Sequence, residues 1–100
     1  MPKFLRIAAW NAYDLVNHRQ EIENFLIENK IDILLISETH FTERSYFKLK
    51  NYRLYDTKHP SDNAHGGAAI LIKSTIKHHE QKAVRDQDIQ ATTVQIANWN

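Results

Sequence analysis

An α/β fold that opens with a βαβ unit is predicted by three observations. Phe4 to Trp10 (FLRIAAW) is a short apolar run, the stretch after it carries helical periodicity, and Ile31 to Ile36 (IDILLI) is a second apolar, β-branched run that starts where that periodicity ends. A parallel connection needs a long crossover, and a helix of this length supplies one, so residues 4 to 37 take the shape of two parallel strands with a helix packed across them.

Each element has its own warrant. The first run holds one charge, Arg6, and reads as a largely buried strand. Asn17 followed three residues later by Gln20 matches a capping box and predicts a helix start. Val16, Ile22, Phe25 and Leu26 then fall on one face, and the helix is expected to run to about Asn29. Phe41 to Lys50 is expected to hold a short helical turn. Tyr52 to Thr57 (YRLYDT) and Ala68 to Lys73 (AAILIK) predict strands flanking a turn-rich loop from His59 to Gly67 (HPSDNAHGG). Ile89 to Ala97 alternates Ile89, Ala91 and Thr93 with Gln90, Thr92 and Val94, which predicts a final strand. No partner segment follows that strand, so the chain is expected to be a domain cut short at its C-terminal end.

Composition bounds the function. A chain of 100 residues with 42% hydrophobic content is one globular unit, and no repeat or low-complexity tract divides it. Thirteen Lys and Arg against twelve Asp and Glu give a net charge of +1, so bulk charge does not by itself announce a nucleic-acid partner. The absence of Cys excludes disulfides, thiolate zinc sites and Cys nucleophiles, and fits a reducing intracellular compartment. No apolar run, Ile33 to Ile36 included, approaches the roughly 20 residues of a membrane helix, and MPKFLRIAAWN lacks the apolar core of a signal peptide. A soluble chain without a membrane partner is expected.

Polar residues just beyond the carboxyl ends of parallel strands are the first place to look for chemistry in an open α/β sheet. Trp10-Asn11 ends the first strand and Ser37-Glu38-Thr39-His40 the second, so Asn11 and Glu38 are brought to one edge. A carboxylate suits a hard cation such as Mg²⁺, whose shell is completed by water and phosphate oxygens. An amide beside it donates to phosphate and accepts from water without adding charge. Together they form half of a phosphoryl-transfer site that still needs a group to activate water.

These residues carry a resemblance. LRIAAWN (Leu5 to Asn11), IDILLISETHF (Ile31 to Phe41), YDTKHP (Tyr55 to Pro60), AHGGAAILIKSTIKHH (Ala64 to His79) and IQATTVQI (Ile89 to Ile96) stand in the order found in the endonuclease/exonuclease/phosphatase superfamily. Within it the chain resembles the apurinic-type endonuclease domain of jockey-like non-LTR retrotransposons. The resemblance implies the first half of a four-layer α/β sandwich and a divalent cation, Mg²⁺ with Mn²⁺ as an alternative. It also implies nicking of a DNA target inside a polyprotein that continues into a reverse transcriptase, with action in the nucleus. By position, Glu38 resembles the family's metal-binding glutamate and Asn11 its active-site asparagine. The family's later Tyr-Pro motif, Asp-x-Asn pair and Asp-His couple have no counterpart up to Trp99-Asn100. Relatives often read Asn-x-x-Gly where this chain has Asn11-Ala12-Tyr13-Asp14, so Asp14 stands where a turn favours Gly.

Bland readings stand beside these. Asn11 alone would be a turn residue and Glu38 a solvated carboxylate. His40 lies on the side of Glu38 if the backbone stays extended, which makes it a substrate-phosphate candidate, although packing at the rim suits it equally. His65, ahead of Gly66-Gly67, reads as a loop residue, and His78-His79 as solvated neighbours that face opposite ways. Lys73, Lys77 and Lys82 serve solubility or DNA phosphates, and Tyr46, Phe47, Tyr52 and Tyr55 core packing or base stacking. Two other functions compete with an endonuclease: a catalytically incomplete or decayed copy, and a flavodoxin-like nucleotide domain. Against the latter, WNAYDL has no Gly for a phosphate loop.

Overall fold

The computed structural model describes residues 4–61 and 65–97. The initial MPK, the middle of the predicted His59 to Gly67 loop with Ala64, and the Trp99-Asn100 terminus lie outside the described residues. Along the chain come β1 (Ile7–Asn11), a 3₁₀ turn (Leu15–His18), α1 (Arg19–Glu28), β2 (Ile33–Ser37), β3 (Tyr52–Thr57) and β4 (Ala68–Lys73). Four short strands follow: β5 (His78–Glu80), β6 (Val84–Arg85), β7 (Gln90–Ala91) and β8 (Val94–Ile96). β1 and β2 pair in parallel, as the βαβ pattern predicts, and the sheet continues in the order β1-β2-β4-β3 through antiparallel pairs. The result is a mixed α/β fold, mostly strand with one helix. No helix among the described residues is long and apolar enough to cross a membrane.

Alternation along the strands gives the sheet two different faces. Leu34 and Ile36 of β2, Ala69 and Leu71 of β4, and the partly buried Ala8, Trp10 and Leu54 face α1, where Leu15, Ile22 and Leu26 meet them. Phe41, Phe47 and Leu49, from the segment between β2 and β3, close the same core. The opposite face gathers Ile33, Ile70, Ile72 and Ile76 with Tyr55, Val94 and Ile96, so β8 lies over β4 and β3. That cover stops short of β1: Ile7 is 55% exposed and Leu35 of β2 42%.

Several expectations are corrected. β1 is an edge strand with one covered face, because its exposed and half-buried residues alternate, and it includes Asn11. The helix begins at Arg19 without a side-chain cap. Asn17 instead donates to Asp14 Oδ2 (2.5 Å), and Gln20 donates to Asn24, so the capping-box pattern is spent on side chains. Val16 and Phe25 are each 41% exposed, which narrows the buried stripe to Leu15, Ile22 and Leu26. The 41–50 segment is not helical, and it is extended apart from turns at 43–44 and at 50–51. Its buried residues Phe47 and Leu49 alternate with exposed Tyr46, Lys48 and Lys50, a period of two rather than 3.6. The final strand is two pieces with different partners, β7 on β6 and β8 on β5. The break at Thr92 has a cause: its hydroxyl donates to Thr57 Oγ1 (2.8 Å), turning the chain toward the main sheet.

Tyr52 ties β3 to the end of the crossover by donating to the Ile31 carbonyl at 2.5 Å. Burial, reinforced by the nearby Asp32 charge, raises its pKa above the ordinary 10.0 of a tyrosine. The folded chain therefore holds this proton more tightly than the unfolded chain. The stabilisation is complete below about pH 10 and is lost as pH rises through the higher folded value. Tyr52→Phe is expected to cost about 1 kcal/mol near neutrality for the lost hydrogen bond. It should also flatten the alkaline decline of stability. Urea unfolding at about pH 7 and about pH 10.5 measures both, and an undiminished decline would place its source elsewhere.

Candidate functional site

β1 and β2 end together, with Asn11 opposite Ser37 in the parallel register. Beyond them the two connecting segments run side by side. The backbone N–H groups of Ala12, Asp14 and Leu15 donate to the carbonyls of Ser37 (2.9 Å), Glu38 (3.0 Å) and Thr39 (2.9 Å). On the other flank His40 N–H donates to Gly66 O (3.0 Å) and Thr39 N–H to Gly67 O (3.4 Å). Glu38-Thr39-His40 is thus held between two backbone walls. Partners of this kind let a segment keep backbone angles that a free chain avoids.

Such angles are present. Glu38 and His40 both take positive φ, 55° and 57°, and so do Tyr13 (43°) and Asp14 (86°) across from them. The backbone at 38–40 is therefore not extended, contrary to the assumption under which His40 was placed beside Glu38. The two side chains still converge: His40 Nε2 sits 3.1 Å from Glu38 Oε2, with Thr39 fully buried between them. Tyr13 stands edge-on to the His40 ring, centroids 4.9 Å apart. The Glu38 side chain is 44% exposed and that of His40 only 13%, so the carboxylate reaches solvent while the imidazole buttresses it. Asn11 is exposed at the end of its strand, and its amide makes no hydrogen bond among the described residues.

The sequence-predicted residues Asn11, Glu38 and His40 therefore share one edge. Asp14 takes positive φ, 86°, the region that Gly tolerates best and Asp more readily than most residues. Among the described residues no group of three or more His, Asp or Glu side chains clusters as a metal cage would require. Thr39 and Tyr13, which position this edge, carried no signal that periodicity or motif spacing would pick up.

The remaining candidates disperse. Lys73 pairs with Asp32 (3.4 Å) at the far end of the sheet. His65 is exposed and its ring lies 4.0 Å, centroid to centroid, from that of the buried His59. His79 is exposed as expected, but His78 is not simply solvated: it is half-buried, with Nε2 2.9 Å from the Tyr55 hydroxyl and Nδ1 2.6 Å from Ile76 O. The aromatic group separates, with Phe47 and Tyr52 in the first core and Tyr55 in the second, while Tyr46 is 78% exposed.

No protein-family model matches the chain. It is 35% identical over 92 residues to the RNA-directed DNA polymerase from mobile element jockey of Drosophila melanogaster, an alignment covering 92% of this chain and 10% of that protein. It is 39% identical over 87 residues to a probable RNA-directed DNA polymerase from transposon X-element of the same species, covering 86% of the chain and 10% of the relative. Against the corresponding protein of transposon BS the identity is 30% over 95 residues, 93% of the chain and 10% of the relative. The chain spans about a tenth of the length of the curated relatives it matches, and its similarity is to RNA-directed DNA polymerases of mobile elements.

Proposed function

We propose that this chain supplies one wall of a divalent-cation phosphodiesterase site that nicks DNA, within a longer mobile-element polymerase protein. The observation that carries the proposal is the Glu38 carboxylate, half exposed at the carboxyl end of a parallel strand pair and anchored through one oxygen to His40. The order of motifs that resembles the endonuclease/exonuclease/phosphatase superfamily, and the similarity to polymerases of mobile elements, support the same assignment. Mg²⁺ is commonly bound by one or two carboxylates, with water and phosphate oxygens filling the shell, so a single solvent-facing Glu38 fits part of such a shell. A bound cation would supply charge stabilisation at the phosphoryl group and the leaving oxygen.

This chain's own residues have separate tasks. Glu38 holds the cation, Asn11 offers its free amide to phosphate or water, and His40 fixes the carboxylate's direction, as hydrogen-bonded partners of ligating carboxylates do. The His40 ring nitrogen that faces Glu38 is already engaged, which makes it a positioning residue before a phosphate ligand. The four-layer sandwich belongs to the same proposal: β8 begins a second layer over β4, and continuing it across β1 and β2 would cover Ile7 and Leu35.

One observation favours a second statement about these 100 residues alone. Among the described residues no third His, Asp or Glu side chain gathers with Glu38 and His40 into a group that could hold a metal ion, so the isolated chain is expected to be catalytically incomplete. The test is conversion of supercoiled to nicked DNA by a longer chain carrying these residues and the segment that follows them in the relatives. Nicking that needs Mg²⁺ and stops on chelation supports the proposal. Nicking unaffected by chelation sinks it.

A further inference from the structure

From Arg44 to Lys50 the chain reads RSYFKLK, and the structure turns Arg44, Tyr46, Lys48 and Lys50 to solvent while burying Phe47 and Leu49. The extended part, residues 45–49, reaches about 15 Å, the rise of roughly four nucleotides along one DNA strand, with Arg44 and Lys50 carried on the turns at its two ends. Arg19 of α1 joins the row, its Nε and Nη2 both donating to the Lys48 carbonyl (3.2 and 3.1 Å), which fixes the strip against the helix. Two grooves meet at Tyr46. One is lined by Arg19, Tyr46, Phe47, Lys48 and Lys50, with no acidic side chain. The other runs from Tyr46 and Arg44 to His40 and Asp14, at the Glu38 edge.

Exposed lysines ordinarily serve solubility. Here four cations and an exposed aromatic form one row, and none of the four is in an ion pair among the described residues. The neighbouring Glu43 instead turns to Arg85 (3.4 Å). We propose that Arg19, Arg44, Tyr46, Lys48 and Lys50 form a track for the phosphodiester backbone of duplex DNA, leading to the Glu38 edge. The cations neutralise phosphates and the Tyr46 hydroxyl donates to one, contacts that position DNA without reading sequence. The choice of DNA rests on the nicking proposal, but the track is tested without catalysis.

Binding of a labelled 20-base-pair duplex to the 100-residue chain, in EDTA, is followed by anisotropy against salt. Four phosphate contacts give a slope of log K against log salt of about −3.6, at −0.9 for each. Lys48→Ala/Lys50→Ala should halve the slope and weaken binding about fiftyfold near 0.1 M salt. Lys77→Ala/Lys82→Ala, which removes the same charge elsewhere on the surface, should change neither by more than about twofold. The readout needs neither cation nor cleavage, so a failure of the nicking proposal would not be mistaken for a failure of the track. An equal loss in the two lysine pairs, no measurable binding by the parent, or tighter binding to an RNA duplex of the same sequence would each overturn the proposal.

Discussion

In a longer chain that nicks DNA, Glu38→Ala is expected to lower the rate by about 10² to 10³-fold at saturating Mg²⁺, the range for removing one preorganised charge-stabilising group. The carboxylate combines solvent exposure with a fixed direction, because His40 holds one of its oxygens. Glu38→Gln keeps the shape and the contact to His40 while removing the charge, so it should fall nearly as far. His40→Ala should cost less, about 10 to 100-fold, since it acts one hydrogen bond away from the cation. Nicking rates measured across an Mg²⁺ titration separate the two roles: loss at Glu38 should persist at high Mg²⁺, and loss at His40 should be partly recovered. A larger effect at His40 than at Glu38 would reverse the assignment.

Gly67→Ala is expected to destabilise the fold by about 3 kcal/mol, and for two separable reasons. Gly67 has φ +89°, where a Cβ costs roughly 1 to 2 kcal/mol. The added methyl would also meet the Thr39 hydroxyl, and that side chain is fully buried with nowhere to swing. Overpacking of this kind costs about 1 to 3 kcal/mol. Thr39→Ala should relieve the second part only, so the double variant recovers about half the loss in urea unfolding. Simple additivity of the two substitutions would show that the clash is not what destabilises. Because Gly66 and Gly67 carbonyls receive the His40 and Thr39 N–H groups, the same change should shift Glu38 and depress nicking beyond its effect on stability.

What sequence discloses here follows from which forces are periodic. Two apolar runs around a helical stretch disclosed the parallel β1–β2 pair, and with it the neighbourhood of Asn11 and Glu38. Competition among polar side chains is not periodic, so Asn17 was misread as a cap when Asp14 had claimed its amide. The row from Arg44 to Lys50 was open to discovery, since its period of two is written in the sequence. Phe47 and Leu49, two residues apart, fit a strand face and not a helix face, so the pattern argues against a helical turn there. The left-handed backbone at Glu38 had no local signature, because Glu does not favour it; its support comes from the backbone walls on either side, Ala12 to Leu15 and Gly66-Gly67, which lie far off in the chain.

That backbone also leaves the edge with a cost in stability. Two non-glycine residues in left-handed conformation are each disfavoured by roughly 1 kcal/mol or more. Glycine or asparagine would sit there more comfortably, so if the proposed cation site is what keeps Glu38 in place, a copy released from that role gains stability by losing it. Stability measured for Glu38→Gly and His40→Gly should rise in the isolated chain.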